Sequence, residues 1–388
     1  MDFTFFSPAK IQFGPDTSRR IAESVTGFGT RAFVITGKNS ARANTLITDL
    51  ERAGISCSTF SQSNEPHVDE MVRGAEAARA FGADFVVAIG GGSVVDAAKV
   101  ISALVTNKGD IYDYLEVIGK GRGIDHRPVP LVALPTTAGT GAEVTCNGVI
   151  ASRSHGVKVS MRSPLLYPDL VIVDPKLTLS MPPGATAATG MDALTQLMEA
   201  FVTPFATPVT DALCREGLRR VARSFQRAFE SGEDLDARED MCIASLFSGI
   251  ALANAKLGAV HGIAGPMGGM ITAPHGVICA RLLAPVTRLN IRRLDRLDPG
   301  HPGLAKYRET AQILTQDTLA EPGDGVDWIE SLVRLMEIPL LKGFGLDAIV
   351  CQKLGEKAFC ASSMKGNPVQ LTREEIVLLL ENELGITQ

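Results

Sequence analysis

The sequence predicts an α/β domain built on a parallel sheet, followed by an all-helical domain. Residues 1–180 alternate short β-branched apolar runs with amphipathic stretches. Two glycine-rich turns in that half follow directly on apolar runs. Beyond about residue 185 those runs give way to the 3.6-residue period of helices.

In chain order, RAFVITG (31–37) reads as a strand, 40–54 as a helix and SCSTF (56–60) as a second strand. HVDEMVRGAEAARAFGA (67–83) has helical spacing, and DFVVAIGGG (84–92) is a buried strand running into glycines. SVVDAAKVISALVTN (93–107) reads as a helix and VPLVALPTT (129–137) as another buried strand. Uniformly apolar strands separated by helices predict βαβ units, with helices on both faces of the sheet. The stretches 186–203, 207–230, 236–256, 304–316, 325–336, 346–360 and 373–384 read as helices. The turn-rich LSMPPGATAATG (179–190) divides the two halves, giving domains of 1–185 and 186–388.

Composition bounds the function. The 388 residues are 45% hydrophobic and 21% charged, with a net charge of −5; a chain of this length buries cores without a disulfide or metal. The closest approach to a basic block, Arg292-Arg293-Leu294-Asp295-Arg296, is broken by an acid and reads as a solvated helix face, which argues against nucleic acid. Seven cysteines without Cys-x-x-Cys spacing read as small buried hydrophobes of a reducing compartment. No basic leader precedes an apolar run, and no apolar stretch approaches ~20 residues. The expectation is a cytoplasmic enzyme acting on a small molecule, with neither nucleic acid nor membrane as partner.

The first chemical signal is Ile89-Gly90-Gly91-Gly92-Ser93. Glycines let a backbone approach a ligand without Cβ clashes, and a helix start offers free N–H groups and a positive dipole end to a pyrophosphate. Ser93 is expected to cap the helix, with Asp96 near a capping-box position. The second signal, Pro135-Thr136-Thr137-Ala138-Gly139-Thr140-Gly141, also follows a buried strand and offers hydroxyls to phosphate, ribose or amide groups. Ligands of open α/β sheets bind at the carboxyl ends of strands, where both turns fall.

In the helical half, Asp192 and Gln196 lie four apart and project from one helix face. His261 opens HGIAGPMGGM, and His275 lies in APHG. An Asp with two His is a plausible set for Fe(II) or Zn(II), although spacing alone does not bring them together.

These segments together resemble the iron-containing (group III) alcohol dehydrogenases over nearly the whole chain. The resemblance is carried by GGGSVVDAAK (90–99), PTTAGTGAEVT (135–145), YPDLVIVDPKLTLSMP (167–182), TGMDALTQ (189–196), the His261 segment, APHG (273–276) and GNPVQLT (366–372). It implies a dinucleotide-binding α/β domain joined to a helical domain, the dehydroquinate synthase-like layout. It also implies hydride transfer between a nicotinamide cofactor and an alcohol, aldehyde or ketone, assisted by a divalent metal as Lewis acid. The assembly implied is a homodimer or larger homo-oligomer.

The resemblance places metal ligands, and with them catalysis, on Asp192, His261 and His275. The fourth position, usually His, is Gln196, a weaker neutral donor that can bind metal directly, through water, or bind substrate instead. A further family His near the nicotinamide is Gly265 here, which removes volume and a proton relay. On the cofactor side the resemblance implicates Gly37, Lys38, Gly90, Gly91, Gly92, Ser93, Asp96, Thr136, Thr137 and Thr140, with Lys158 near the ribose. The acid that many members carry after the second strand, which repels a 2′-phosphate, is replaced by Gly37 beside Lys38, so NADP(H) is expected alongside NAD(H), slightly favoured.

Three alternatives stand beside this reading. A metal-independent reductase of activated carbonyls, as in maleylacetate reductases, fits the loss at position 196. A catalytically degraded nucleotide-binding protein fits the two lost histidines. A dehydroquinate synthase-type lyase would need cations for its phosphate, and 189–200 and 259–276 contain neither Lys nor Arg.

Overall fold

A computed structural model describes residues 2–384. They form two compact units: Phe6–Thr137 with Gly141–Leu179, and residues 180–384 with 2–5 and Ala138–Thr140.

The first unit carries β1 (Ile11–Phe13), α1 (Ile21–Ser24), β2 (Arg31–Thr36), α2 (Ala41–Arg52), β3 (Ser56–Ser61) and α3 (Val68–Phe81). It continues through β4 (Phe85–Gly90), α4 (Gly92–Thr106), β5 (Leu131–Pro135), β6 (Asn147–Ser152), β7 (Val157–Arg162) and β8 (Leu170–Val173). Six strands form one sheet in the order β1-β8-β5-β4-β2-β3, every pairing parallel. Strands β6 and β7 form a separate antiparallel ribbon.

Alternate strand residues feed two cores, as the pleat requires. Phe33, Ile35, Val86, Ala88, Leu131 and Ala133 pack against Met71, Ala75 and Ala78 of α3 and the apolar side of α4. Ala32, Val34, Phe85, Val87, Ile89, Val132 and Leu134 pack against Ile21 of α1 and Ala43, Leu46 and Leu50 of α2. Burial on both faces explains why these strands read as continuous apolar runs. From β2 the chain goes to β3 on one side of that strand and then to β4 on its other side. The carboxyl ends of β2 and β4 therefore flank the topological switch point, where open α/β sheets bind ligands.

The second unit holds α5 (Pro183–Val202), α6 (Pro208–Glu230), α7 (Leu235–Ala255), α8 (Ala259–Met267) and α9 (His275–Leu297). It ends with α10 (Pro302–Thr315), α11 (Pro322–Leu335), α12 (Ala348–Phe359) and α13 (Arg373–Glu383). Sequence punctuation explains the starts: Thr207 accepts from the Thr210 N–H at 3.2 Å ahead of Pro208, and Thr372 accepts from the Glu375 N–H at 3.2 Å. Helix α5 is buried along almost its whole length. Helices α7 and α8 meet at a 97° bend, where Lys256 takes a left-handed backbone conformation at φ 72°. Among the described residues no single helix is long and apolar enough to cross a membrane.

Candidate active site

The glycine turn lies at the switch point. In the β2–β4 register Thr36 stands opposite Ile89, so Gly37 and Gly90 follow from adjacent strand ends. A Cβ at Gly90 would lie 2.5 Å from Val94 of the following helix, and one at Gly91 would lie 3.3 Å from Thr137. Glycine at 90 is therefore required by the return of α4 onto its own strand. The Thr136 N–H donates to the Gly90 carbonyl at 2.9 Å, tying the second turn to the first. Lys38 is exposed beyond β2, and Lys158 on β7 pairs with Glu65.

One local expectation is corrected. Ser93 does not cap α4; Gly91 is the N-cap and no side chain caps the helix. Three glycines leave room for the helix to begin one turn-position earlier, so Ser93 lies inside its first turn. The leading N–H groups are left to an outside acceptor, as an anion site requires. Asp96 faces β6 instead, accepting the Val149 N–H.

Sequence reasoning missed the group beneath this turn. Lys99 is fully buried and donates to the Ala142 carbonyl, to Thr145 Oγ1 at 2.8 Å and to the Asn147 carbonyl at 2.9 Å. Burial lowers its pKa to about 8, against the pull of Asp96. Burial likewise pushes Asp96 up to about 6 and Glu143 up to about 7. A buried cation thus pins residues 142–147 to α4, fixing the floor of the turn.

In the helical unit, three helices bring a donor set together. Asp192 sits mid-α5, His261 in the first turn of α8, His275 at the start of α9, and Cys279 one turn further along α9. One ligand atom from each lies within 4.8 Å of all the others. His261 Nε2 is 3.3 Å from Asp192 Oδ1, and His275 Nε2 is 3.7 Å from the same oxygen. Cys279 Sγ is 3.9 Å from His261 Nε2 and 3.6 Å from His275 Nε2. Close approach of α9 to α5 depends on Gly276, where a Cβ would fall 2.0 Å from the Ala188 carbonyl oxygen.

Electrostatics make the set a strongly coupled one. Burial would push Asp192 up, but the charge of His275 and the hydrogen bond and charge of His261 outweigh it and hold the carboxyl below its usual range. Burial would lower His261, yet Cys279 and Asp192 hold it well above the usual imidazole value. His275 is raised by Cys279 and Asp192. Burial would raise the Cys279 thiol, but the two imidazoles pull it below its ordinary value. Donors that hold each other in charged form suit a divalent cation, which takes the place of the protons.

Glu199, also missed from sequence, orients this set. It lies seven residues beyond Asp192 on α5. Its carboxylate meets His261 Nδ1 at 2.6 Å and accepts the Val260 N–H at 2.6 Å. With Nδ1–H held by this carboxylate, Nε2 is the ring atom turned toward Asp192, where a bound cation would take the place of its proton. Gln196 is placed differently from its neighbours: its Oε1 accepts from Ser248 at 2.7 Å, and its Nε2 lies 3.5 Å from the Thr140 carbonyl and donates toward Asp192. At Gly265 a Cβ would meet nothing within 4 Å, so the missing side chain leaves open space and not a packing contact.

A helical unit with a carboxylate, two imidazoles and a thiol at metal-ligand distances, in one chain with an α/β unit that has a glycine turn at its switch point, defines a class of two-unit oxidoreductases. A family model described as "Iron-containing alcohol dehydrogenase" matches residues 8–175, and one described as "Fe-containing alcohol dehydrogenase family, C-terminal" matches residues 186–384. The chain belongs to the iron-containing alcohol dehydrogenase family and is an alcohol/aldehyde oxidoreductase. It is 32% identical over 381 residues to the choline dehydrogenase of Bacillus subtilis (strain 168), covering 96% of this chain and 92% of that one. The crystal structure of a 1,3-propanediol oxidoreductase matches with a TM-score of 0.91 at 30% identity, over 99% of this chain and 100% of the other. The sulfoacetaldehyde reductase from Bifidobacterium kashiwanohense, solved in complex with NAD+, matches with a TM-score of 0.88 at 28% identity, over 100% of both chains.

Proposed function

We propose that this chain moves a hydride between NAD(P) and a small alcohol or aldehyde whose oxygen is held at the α5–α8–α9 donor set. The convergence of Asp192, His261, His275 and Cys279 within 4.8 Å carries this reading. These residues would hold Fe(II) or Zn(II), and the metal, when bound, supplies Lewis acidity toward the substrate oxygen. Asp192 and His261 would fix the cation, and Glu199, holding His261 Nδ1–H, keeps Nε2 aimed at it. The leading amides of α4, with the hydroxyls of Thr136 and Thr137, hold the cofactor phosphates, and the nicotinamide carries the hydride. With glycine at 265 the substrate proton passes to water, and the open volume favours substrates bulkier or more branched than a short primary alcohol.

The metal-assisted reading is favoured over the metal-free one because the donors converge, with Asp192 and Cys279 buried, His261 nearly so and His275 open to an incoming ligand. The test is NAD(P)H-dependent reduction of an aldehyde panel after iron or zinc loading, comparing the parent with Asp192→Ala. The parent is expected to turn over and the variant to lose at least about a hundredfold in kcat/KM. Equal rates with and without metal would return the reading to a metal-independent reductase.

For the cofactor, the absence of a carboxylate at Gly37 and the exposed Lys38 support acceptance of NADP(H), slightly favoured over NAD(H). A kcat/KM preference for NAD(H) of roughly tenfold or more, which is about 1.4 kcal/mol, would contradict this. A homo-oligomer in the cytoplasm belongs to the same reading, on the strength of family membership, and sedimentation of the purified chain tests the assembly.

A further inference from the structure

We propose that Cys279 Sγ is the fourth protein ligand of the metal, replacing a ligand at position 196, with the substrate oxygen entering as a fifth ligand. The proposal rests on the metal-binding reading above and adds to it a sulfur donor and the metal preference that follows.

Two independent observations carry it. The first is geometry. With bonds of about 2.0–2.1 Å to nitrogen or oxygen and about 2.3 Å to sulfur, tetrahedral coordination puts N and O donors about 3.3 Å apart and N and S donors about 3.6 Å apart. The His261–Asp192 and His275–Asp192 separations are 3.3 and 3.7 Å. The Cys279 sulfur stands 3.6 and 3.9 Å from the two imidazole nitrogens. Each measured edge lies within about 0.4 Å of the tetrahedral value, an adjustment that one side-chain torsion supplies. His275 and Cys279 lie four apart on α9, so one helix face delivers both. Cys279 is itself fully buried, so the sulfur has no competing role at the surface.

The second observation is what Gln196 does instead. Its oxygen, the only atom of the amide that can ligate, faces away to the Ser248 hydroxyl at 2.7 Å. Its nitrogen lies between two acceptors, the Thr140 carbonyl and the Asp192 carboxylate. An amide held so supports Asp192 and donates no lone pair to a cation. The pair of residues therefore reads as an exchange: a polar brace at 196, and a thiolate one turn beyond His275.

A thiolate in place of a nitrogen or amide-oxygen donor makes the site softer, which favours Zn(II) and Co(II) over Fe(II). On coordination the Sγ–H proton leaves to water and the Sγ–metal bond forms, so each metal bound releases one proton more than an amide donor would release.

The experiment loads the anaerobic, reduced, full-length protein with Co(II) and records its spectrum, beside Cys279→Ser and Gln196→Ala. The expected result is stoichiometric Co(II) with a near-ultraviolet thiolate-to-cobalt charge-transfer band. Cys279→Ser should lose that band and bind Zn(II) at least roughly tenfold more weakly, while Gln196→Ala keeps it. X-ray absorption of the Zn(II)-loaded parent, which needs no variant to fold, should show one sulfur neighbour at about 2.3 Å. Stoichiometric metal with only nitrogen and oxygen neighbours would overturn the Cys279 assignment and leave the metal reading intact. No bound Co(II) or Zn(II) in the parent would overturn the metal reading itself, and the assignment with it.

Discussion

Glu199 Oε2 stands 2.6 Å from His261 Nδ1, and the other oxygen of the same carboxylate accepts the Val260 N–H at 2.6 Å. One buried side chain thus caps the start of α8 and sets the tautomer of the histidine in its first turn. Removing it should uncouple two measurable quantities. Glu199→Gln keeps an acceptor for the N–H groups but loses the charge on the imidazole; metal affinity is expected to fall roughly 10–100-fold with a modest change in melting temperature. Glu199→Ala should lose both, costing about a further 1 kcal/mol of stability through the vacated cap. Metal titration and thermal melts of the two variants check this, and equal affinities in Glu199→Gln and the parent would remove Glu199 from the site's support.

Gly276 is a packing requirement with a functional consequence. A Cβ there would lie 2.0 Å from the Ala188 carbonyl oxygen, which is backbone and cannot swing aside. Gly276→Ala is expected to push α9 away from α5, costing on the order of 1–3 kcal/mol. His275 and Cys279 would move with the helix, so metal affinity should fall in the same variant, measured by competition with a chelator.

Gly265 predicts the opposite pattern. Nothing lies within 4 Å of a Cβ built there. Gly265→Leu should leave stability within about 0.5 kcal/mol of the parent. It should lower kcat/KM for branched aldehydes more than for short linear ones, because the added side chain occupies the volume assigned to substrate. A steady-state comparison on two such aldehydes reads this directly.

The buried charges under the glycine turn give a pH dependence. Glu143 is pushed up to about 7 by burial, from an ordinary 4.5. A folded value above the unfolded one means folding favours the protonated form. That stabilisation is complete below about 4.5 and is lost as pH rises through about 7. Lys99, lowered to about 8, has already lost its contribution by the time pH has fallen from about 10.5 to 8, so it is constant across this window. Asp96, raised to about 6, titrates in a lower range and is common to both proteins compared. Glu143→Gln is therefore expected to lie close to the parent near pH 5 and to exceed it near pH 8 by on the order of 3 kcal/mol, by chemical denaturation.

Much of this was legible in the sequence. Strands β2, β4 and β5 lie between two helical layers, so their apolar runs announced a parallel sheet. The seven helical stretches read from periodicity each overlap a helix of the second unit, with ends that agree to within three residues. The elements that were not legible share physical causes. Helix α8 carries Gly262, Gly265 and Pro266, and α9 holds Pro285, so propensity argued against both although tertiary packing, and for α8 the Glu199 cap, make them. The β6–β7 ribbon is half-buried with short alternating strands and gave only a weak period-2 signal. Cys279 read as one more buried hydrophobe; its four-residue spacing from His275 was the available signal, and only the fold brings that face onto Asp192. Glu199 was concealed likewise, although Asp192, Gln196 and Glu199 share one helix face by their spacing.

Metal content per chain tests the donor set most directly. The protein would be purified anaerobically without chelator, reconstituted with iron or zinc, and compared with Asp192→Ala. Close to one equivalent is expected in the parent, and a loss of nearly all of it in the variant. A parent that binds no metal under any of these conditions, yet turns over an aldehyde, would contradict the metal-assisted reading.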